Sequence, residues 1–278
     1  MFGVVTRNAE ELEWSAVDRG FYEVKDVTGR AAAPVTTGVN MVSAFGDNAA
    51  VGDDPGLAAV DAEGRPATRE RPYFDWSYVC PTHDRYREGL LEIVDDCVAE
   101  APDLRLDDIG FPRDGYCRCD RCDRRFEASE YDDRADWRAS VVTDFVTAVR
   151  ERVPGDLYLT LYPDPYPGHL RERSGVDVDA LAPLADEFVV PLYDTAYGTT
   201  YWLETIATGF ESRLADADAR LGVELYAVDV DVDALVTATE VAEASADAVY
   251  FGYDASNAVA AIRRLRADRQ SGVSHGDA

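Results

Sequence analysis

Short apolar runs rich in Val, Tyr and Leu alternate along the chain with longer segments in which apolar residues recur every three or four positions. This alternation is typical of repeated βα units, in which amphipathic helices connect buried strands. The runs that qualify as strands are residues 2–6, 21–25, 38–44, 104–109, 157–162, 188–193, 223–228 and 248–253. Eight parallel strands with crossover helices close into a barrel, so the pattern predicts an α/β fold, a single-domain (β/α)8 TIM barrel over residues 1–269.

The helical segments are clearest in the second half of the chain. They are expected at residues 84–101, 136–153, 199–221, 232–246 and 256–269. In the second of these, Trp137, Val141, Phe145 and Val149 recur at helical spacing, so one stripe faces the sheet as core. The first half is less regular, with a long loop rich in Gly and Asp at residues 46–79, and residues 270–278 are expected to form a flexible tail that contains His275.

The charge narrows the classes of partner. A formal net charge of -27 and a sequence pI near 4.3, with acids spread along the whole chain, make nucleic acid and anionic membranes poor partners. Arginine carries nearly all the positive charge, because Lys25 is the only lysine. Heavy use of aspartate is typical of proteins from salt-loving (halophilic) organisms, in which most acids are solvated surface groups, so an aspartate by itself is weak evidence for catalysis.

The N-terminal stretch MFGVVTRNAEELEW lacks a basic start, an apolar run and a small-residue cleavage site, and no eighteen consecutive residues are apolar. We therefore expect a soluble, cytoplasmic chain. The sequence leaves homo-oligomerisation open.

Acids and aromatic residues collect where a barrel enzyme has its active site, at the carboxyl ends of the strands. Those that follow strands four to eight are Asp107, Asp108, Tyr162, Asp164, Tyr193, Asp194, Tyr197, Trp202, Asp229 and Asp254, and Trp76 joins them from the long loop. Sugar rings stack on aromatic faces while their hydroxyls bond to carboxylates, so this composition favours a carbohydrate site. The alternative for each single aromatic residue is that it packs the barrel rim.

Four of the five cysteines have the spacing of a metal site. They are Cys117, Cys119 and Cys122, which form a C-x-C-x-x-C motif within residues 112–126, and Cys80 upstream. Four thiolates satisfy tetrahedral zinc and leave no open position, so the zinc would be structural. Unrelated free thiols are the alternative, and His83 could take the place of Cys80. Cys97 lies in a helical pattern and is expected in the core, and a redox pair has no thioredoxin-like setting here.

The same segments carry a resemblance. A lone upstream cysteine followed by C-x-C-x-x-C just after strand four resembles the zinc cluster beside the active site of the glycoside hydrolase family 42 β-galactosidases. The stretches CPTHDRYREGLLEIVDDC, LRLDDIGFP and YCRCDRCDRRF are similar to uncharacterised glycosidase-like TIM-barrel proteins with a pattern of the type CPNNPEYRE, DGIHLDDIRFP and CYCERC. Weaker similarity continues through LYPDPY, VVPLYD and GYD.

The resemblance implies a site built on two carboxylates. In family 42 the acid/base is a glutamate in an Asn-Glu pair after strand four, and the nucleophile is a glutamate at strand seven. The matching pair here is Asp107-Asp108, a departure that shortens the reach of the acid by one methylene. The implied function is a glycoside hydrolase or related carbohydrate-active enzyme in which a structural zinc fixes the loop that carries the two aspartates.

The alternation of side chains along strand four separates the two aspartates. Leu104 and Leu106 are expected to face the helices. Arg105 and Asp107 would then point into the barrel. This makes Asp107 the stronger catalytic candidate and gives Asp108 a supporting role in the loop.

Alternation at strand seven places Glu224 inside the barrel, where it is either catalytic or a structural partner of Arg105. Asp194, at the end of strand six, is the other candidate for the second carboxylate. Paired carboxyl groups should lie within about ten ångströms of each other across the site.

Two other classes of function stay open. A non-catalytic sugar-binding or interaction barrel would keep the zinc and the aromatic rim, and the Asp-Asp pair favours it. A metal-dependent hydrolase is poorly supported by the three histidines, His83, His169 and His275, although an Asp-only calcium or magnesium site on the rim would be compatible. No nucleotide-binding motif is present, so structural zinc is the one expected cofactor and a carbohydrate the expected ligand.

Overall fold

The computed structural model describes residues 1–271, which form a closed barrel of eight parallel strands in sequence order. The strands are β1 (Phe2–Thr6), β2 (Arg19–Lys25), β3 (Val39–Ser43), β4 (Leu104–Asp107), β5 (Leu157–Thr160), β6 (Glu187–Pro191), β7 (Arg220–Tyr226) and β8 (Ala248–Gly252). Pairing of β1 with β8 closes the barrel. The predicted (β/α)8 TIM barrel is confirmed, and each of the eight strands overlaps the apolar run that predicted it.

Helices cover the outside of the barrel, most completely after β3. They are α1 (Asn48–Asp53), α2 (Asp84–Glu100), α3 (Asp120–Glu127), α4 (Arg134–Arg150), α5 (His169–Ser174), α6 (Val178–Leu181), α7 (Tyr201–Leu214), α8 (Val232–Glu243) and α9 (Ala255–Ser271). The segment 46–79 therefore contains a short helix within its loop, and the cysteine segment 112–126 runs into α3. The predicted stripe on α4 is buried, as expected for core.

One helix is shorter than its pattern predicted. The expected helix 199–221 ends at Leu214, and β7 begins at Arg220, where the prediction had helix. Arg220 pairs with Glu187 across the β6–β7 ladder, and its Nε lies 3.2 Å from the buried Glu187 carboxylate. Asp216 and Asp218 lie just past the helix, where the negative end of the helix dipole disfavours acids.

The interior of the barrel has its own small core, separate from the layer between sheet and helices. Phe21, Tyr158 and Tyr250 pack edge to face, with ring centroids 5.2 Å and 4.8 Å from Phe21. The Arg105 guanidinium lies 4.9 Å above the Phe21 ring, on the side of the carboxyl ends of the strands. The barrel is therefore filled below Arg105, and the polar groups described next lie at and above it.

The first two residues of the predicted tail, 270–278, belong to α9, which extends to Ser271. His275 and the other residues after 271 lie outside the described residues. Among the helices of residues 1–271, none combines the length and apolar character that a membrane span requires.

Candidate functional site

Arg105 occupies the centre of the candidate site. Its side chain is almost fully buried, its Nη2 lies 2.6 Å from Glu224 Oε2 and its Nε lies 3.2 Å from Asp107 Oδ1. Thr160 Oγ1 accepts a hydrogen bond from the same Nε at 3.0 Å. Since Nε and Nη2 of a planar guanidinium are about 2.3 Å apart, the two carboxylate oxygens lie within about 8 Å of each other. Arg105 and Asp107 point into the barrel, as the alternation along β4 predicted.

Glu224 is completely buried on the inner face of β7. The Tyr193 hydroxyl donates a hydrogen bond to Oε1, and Arg105 occupies Oε2. Tyr193 as a whole is 44% exposed while its hydroxyl contacts buried Glu224, so this tyrosine reaches from the rim down onto the carboxylate. The predicted pairing of Glu224 with Arg105 is present, and solvent reaches Asp107 beside it more readily, because the Asp107 side chain is 18% exposed.

Asp108 adopts a left-handed backbone conformation, with φ at 52°. Asp is one of the few residues that tolerate this region. The turn directs the carboxylate towards the end of β3, where Ser43 Oγ donates a hydrogen bond to Oδ2 at 2.6 Å. Gly46 lies directly against it, because a Cβ at that position would be 2.7 Å from Asp108 Oδ2. Asp108 is thus held by contacts that no alternation rule predicts, beyond the end of the regular strand.

The two adjacent aspartates have different electrostatic environments. Burial, reinforced by the charge of Asp107, raises the pKa of Asp108 to about 7, against the opposing effects of the Ser43 hydrogen bond and Lys25. No ion pair to Asp108 forms within residues 1–271, whereas Asp107 contacts the Arg105 cation. A pair of carboxyl groups held in such contrasting environments is suited to divide the acid and base roles of a reaction.

Two charged residues of β2 belong to the site, although the sequence reasoning missed them. Glu23 is buried, contacts Arg7, and accepts a hydrogen bond from Tyr253 Oη at 3.2 Å. Burial raises the pKa of Glu23, and Arg7 opposes this shift. Lys25, also buried, lies beside Asp47. The signal was available, because Phe21, Glu23 and Lys25 alternate along β2 as Arg105 and Asp107 do along β4.

Three of the other four predicted rim acids have local roles. Asp194 accepts a hydrogen bond from the Ala196 backbone at 3.1 Å, and Asp254 accepts one from Asn257 N at 2.9 Å at the start of α9. Asp229 is exposed, with φ at 56°. Over the described part of the chain, no hydrogen bond or ion pair links any of the three to Arg105.

The predicted aromatic residues divide between rim and core. Tyr162 is 55% exposed, and the Arg173 guanidinium lies 4.1 Å above its ring. Trp76 is half-buried beside Asp108, and its indole Nε1 is buried without a hydrogen-bond partner. Trp202 packs against the main core from α7.

Tyr197 and Asp164 are committed to internal contacts. The buried Tyr197 hydroxyl donates to Leu192 O at 3.0 Å and accepts from Tyr226 N at 2.7 Å. Asp164 lies 3.2 Å from His169 Nδ1 within its own loop. Tyr197 therefore stabilises the loop after β6 from within the core, instead of lining the open rim.

Exposed tyrosines concentrate at the carboxyl end of the barrel, and several were not singled out from the sequence. Those in the loops after β5, β6 and β8 are Tyr162, Tyr166, Tyr193, Tyr201 and Tyr253. Tyr73 in the long loop is also exposed, and Arg113 lies 4.8 Å above its ring. Single exposed aromatics are common, but their accumulation around one opening gives that opening the stacking surfaces that a sugar site requires.

The four predicted cysteine ligands come together. The Sγ atoms of Cys80, Cys117, Cys119 and Cys122 all lie within 4.8 Å of one another. Cys80 Sγ lies 3.4 Å from Cys122 Sγ and 3.8 Å from Cys119 Sγ. Zinc–sulfur bonds of 2.3 Å in a tetrahedron place sulfurs about 3.8 Å apart, so the donor set fits a four-thiolate metal ion.

The remaining candidate ligands lie outside this cluster. His83 caps the start of α2, where its Nδ1 accepts a hydrogen bond from Tyr86 N at 3.4 Å, so the alternative of His83 in place of Cys80 is not needed. Cys97 is fully buried in α2, as expected, and burial raises the pKa of its thiol to about 12.

A series of hydrogen bonds with backbone N–H donors connects the cysteine cluster with Asp108. The links are Val60 N to Cys117 Sγ (3.4 Å), Ala59 N to Tyr78 O (2.9 Å), Val79 N to Phe45 O (2.8 Å) and Phe45 N to Asp108 O (3.0 Å). The cysteine cluster therefore anchors the same layer of loops that positions Asp108.

Comparisons with known proteins support the fold. No protein-family model matches the chain, and no curated protein matches its sequence. Among solved structures, α-L-fucosidase isoenzyme 2 from Paenibacillus thiaminolyticus is similar with a TM-score of 0.66 and 14% identity, over 94% of this chain and 46% of the fucosidase chain. An α-amylase from Lactobacillus plantarum matches with a TM-score of 0.44 and 12% identity, over 78% of this chain and 50% of the amylase.

This chain spans less than half the length of the fucosidase chain. Identity this low establishes a shared fold but does not establish a shared chemistry. The expectation of a TIM barrel is therefore confirmed, and the likeness to glycosidases, including that to family 42, stays a prediction.

Proposed function

We propose that this protein is a glycoside hydrolase, or a related enzyme acting on glycosidic bonds, with its site above Arg105. The observation that carries the proposal is the contrast between Asp107, held against a cation, and Asp108, whose pKa burial raises to about 7. Glycoside hydrolysis requires one protonated and one ionised carboxyl group at the same bond. The exposed tyrosines around the opening supply surfaces on which a sugar ring can stack.

In the proposed mechanism Asp108 protonates the leaving oxygen. Asp107 is the partner of Asp108 in the reaction, because it contacts Arg105 and is the more accessible of the two carboxylates that do so. It would attack the sugar or activate water, and Glu224 would balance the buried charge of Arg105. Consecutive Cα atoms are 3.8 Å apart, so the two carboxyl groups lie within about 9 Å, a range that includes both retaining and inverting separations.

We further propose that the cysteine cluster holds a structural zinc. Four thiolates close the coordination sphere and leave no position for substrate, so the metal would fix the loops and take no part in bond cleavage. We also propose that the ligand is a carbohydrate and that the protein works in the cytoplasm at high salt, as the sequence led us to expect.

The test is hydrolysis of a panel of aryl glycosides and oligosaccharides in high salt, with zinc content measured in every sample. Asp107→Asn and Asp108→Asn should each lose at least 100-fold in rate at unchanged zinc. The matched control is Asp216→Asn, an exposed acid before β7 at the opposite end of the barrel, which should keep full activity. Full activity in Asp107→Asn and Asp108→Asn would refute the assignment.

A non-catalytic sugar-binding barrel is the second candidate, and the burial of Glu224 favours it. Both oxygens of this carboxylate are engaged by protein groups, so the strand-seven position of a two-carboxylate enzyme is closed to substrate. A wild type that turns over no member of the panel, yet binds an oligosaccharide by calorimetry with loss of binding in Tyr162→Ala, would establish this alternative.

A further inference from the structure

Lys25 is the only lysine of the chain, and it is buried at the end of β2. Arginine supplies the positive charge of the other basic side chains, so Lys25 has the only side-chain ammonium group of the chain. Burying a lysine is costly unless its charge and all three protons are matched. Burial lowers the pKa of Lys25, and the Asp47 carboxylate opposes this shift.

The three protons of Lys25 have three acceptors. Nζ lies 2.9 Å from Ser43 O, 3.3 Å from Gly46 O and 3.2 Å from Asp47 Oδ2. This tripod suits an ammonium group, whereas the planar fork of a guanidinium would not meet three converging acceptors. The requirement for lysine at this position therefore has a geometric origin.

The acceptors of Lys25 belong to the segment that holds Asp108. Ser43 Oγ donates to Asp108 Oδ2, and Gly46 packs directly against the same carboxylate. Asp47 also accepts a hydrogen bond from Tyr86 Oη at 2.8 Å, which fastens the segment to α2. Lys25 thus ties together the backbone on which the hydrogen-bond donor of Asp108 depends.

Lys25 also balances the charges around Asp108. The anions that face Asp108 are Asp107 on β4 and Glu23 on β2, and Lys25 is the cation that acts on it. Asp47 lies on the far side of Lys25 as its ion-pair partner. The phenols that face Asp108, which are neutral near pH 7, belong to Tyr78 and Tyr86.

We propose that Lys25 is a positioning residue for Asp108, which fixes the geometry of the Ser43–Gly46 segment and offsets the negative charges of Asp107 and Glu23 around the Asp108 carboxyl group. The catalytic part of this inference rests on the proposed function, whereas the positioning part does not. Without the Lys25 charge, the pKa of Asp108 should increase by about one unit, the lower end of the effect of a nearby opposite charge.

The first test uses the wild-type protein without substrate. Because the chain has a single lysine, labelling with ε-13C,15N-lysine gives one side-chain NMR signal. We expect this signal to shift with an inflection near pH 7 in high salt, and the inflection to be absent in Asp108→Asn. A signal that is unchanged between pH 5 and 9, or an inflection that survives in Asp108→Asn, would overturn the proposal.

The second test is the pH profile of activity in Lys25→Met and Lys25→Arg. The alkaline limb of the profile, where the acid loses its proton, should move up by about one pH unit in Lys25→Met. Lys25→Arg keeps the charge but not the tripod, so its limb should stay near that of the wild type while its kcat falls. An unmoved limb in a folded, active Lys25→Met contradicts the inference and leaves the proposed function intact. If the NMR inflection appears but the protein has no hydrolase activity, the inference on Lys25 stands and the proposed function is contradicted.

Discussion

The Arg105–Glu224 pair allows a stability prediction of defined size. Glu224 is 0% exposed and Arg105 1% exposed, so Arg105→Met leaves a carboxylate in the barrel interior without its cation. Removing one partner of a buried pair costs about 3–5 kcal/mol of unfolding free energy. For a chain of this size the midpoint temperature should fall by about 6–20 °C. Glu224→Gln should cost less, because Arg105 keeps Asp107 and Thr160 as partners.

The matched control is Arg125→Met on the surface. Arg125 lies 2.6 Å from Asp84, the same separation as in the buried pair, but its side chain is 40% exposed and that of Asp84 66% exposed. Exposed pairs contribute about 0–1 kcal/mol, so this variant should scarcely change stability. Added salt should weaken the surface contribution further and leave the cost of Arg105→Met unchanged, because the buried pair is poorly screened.

The assay is urea unfolding at fixed potassium chloride, carried out on both single variants and on Arg105→Met/Glu224→Gln. The double variant should be more stable than the sum of the single costs implies, by about 0.5–3 kcal/mol, because no charge remains at the fully buried position 224. A cost below about 1 kcal/mol for Arg105→Met, or strict additivity in the cycle, would refute the account of a buried, mutually dependent pair.

Three further outcomes follow from the contacts. Gly46→Ala places a Cβ 2.7 Å from Asp108 Oδ2 and should lower activity by about tenfold or more. Its control is Gly89→Ala in α2, where a Cβ meets nothing within 4 Å and should stabilise the protein by about 0.5–1 kcal/mol. Equal activities in the two variants would contradict the crowding argument. Cys122→Ser should abolish zinc binding and lower the midpoint temperature of unfolding. Chelation of the wild type should lower this temperature as well, and adding zinc back to the chelated wild type should restore it. Tyr197→Phe should cost about 1–3 kcal/mol in urea unfolding, through the unpaired Tyr226 backbone N–H, without reducing kcat.

The rule of alternating side chains predicted the part of the site that lies on regular strands. It placed Arg105 and Asp107 inside β4 and Glu224 inside β7, and the ion pair between Arg105 and Glu224 follows from those positions. Applied to β2, the same rule would have found Glu23 and Lys25.

The position of the Asp108 side chain could not be obtained in this way. Alternation holds only while the backbone stays extended, and the chain leaves that conformation at Asp108, where φ is 52°. The left-handed turn directs the side chain against Ser43 and Gly46, which are far away in sequence and near only because β3 and β4 are paired. The interpretation that gave Asp107 the stronger claim and Asp108 a supporting role therefore lacked the one torsion angle that decides where Asp108 points.

Burial, and not abundance, identifies the informative acids in a chain with 54 acidic residues. Within residues 1–271 the acids with little exposure are Glu23, Asp26, Asp47, Asp61, Glu187 and Glu224. Glu187 pairs with Arg220 at the opposite end of the barrel, and Asp61 binds Arg65 in the long loop. The other four lie around the opening, together with the only lysine. Solvated surface acids need no burial, so the concentration of buried acids at one end of the barrel supports the proposed location of the site at that end.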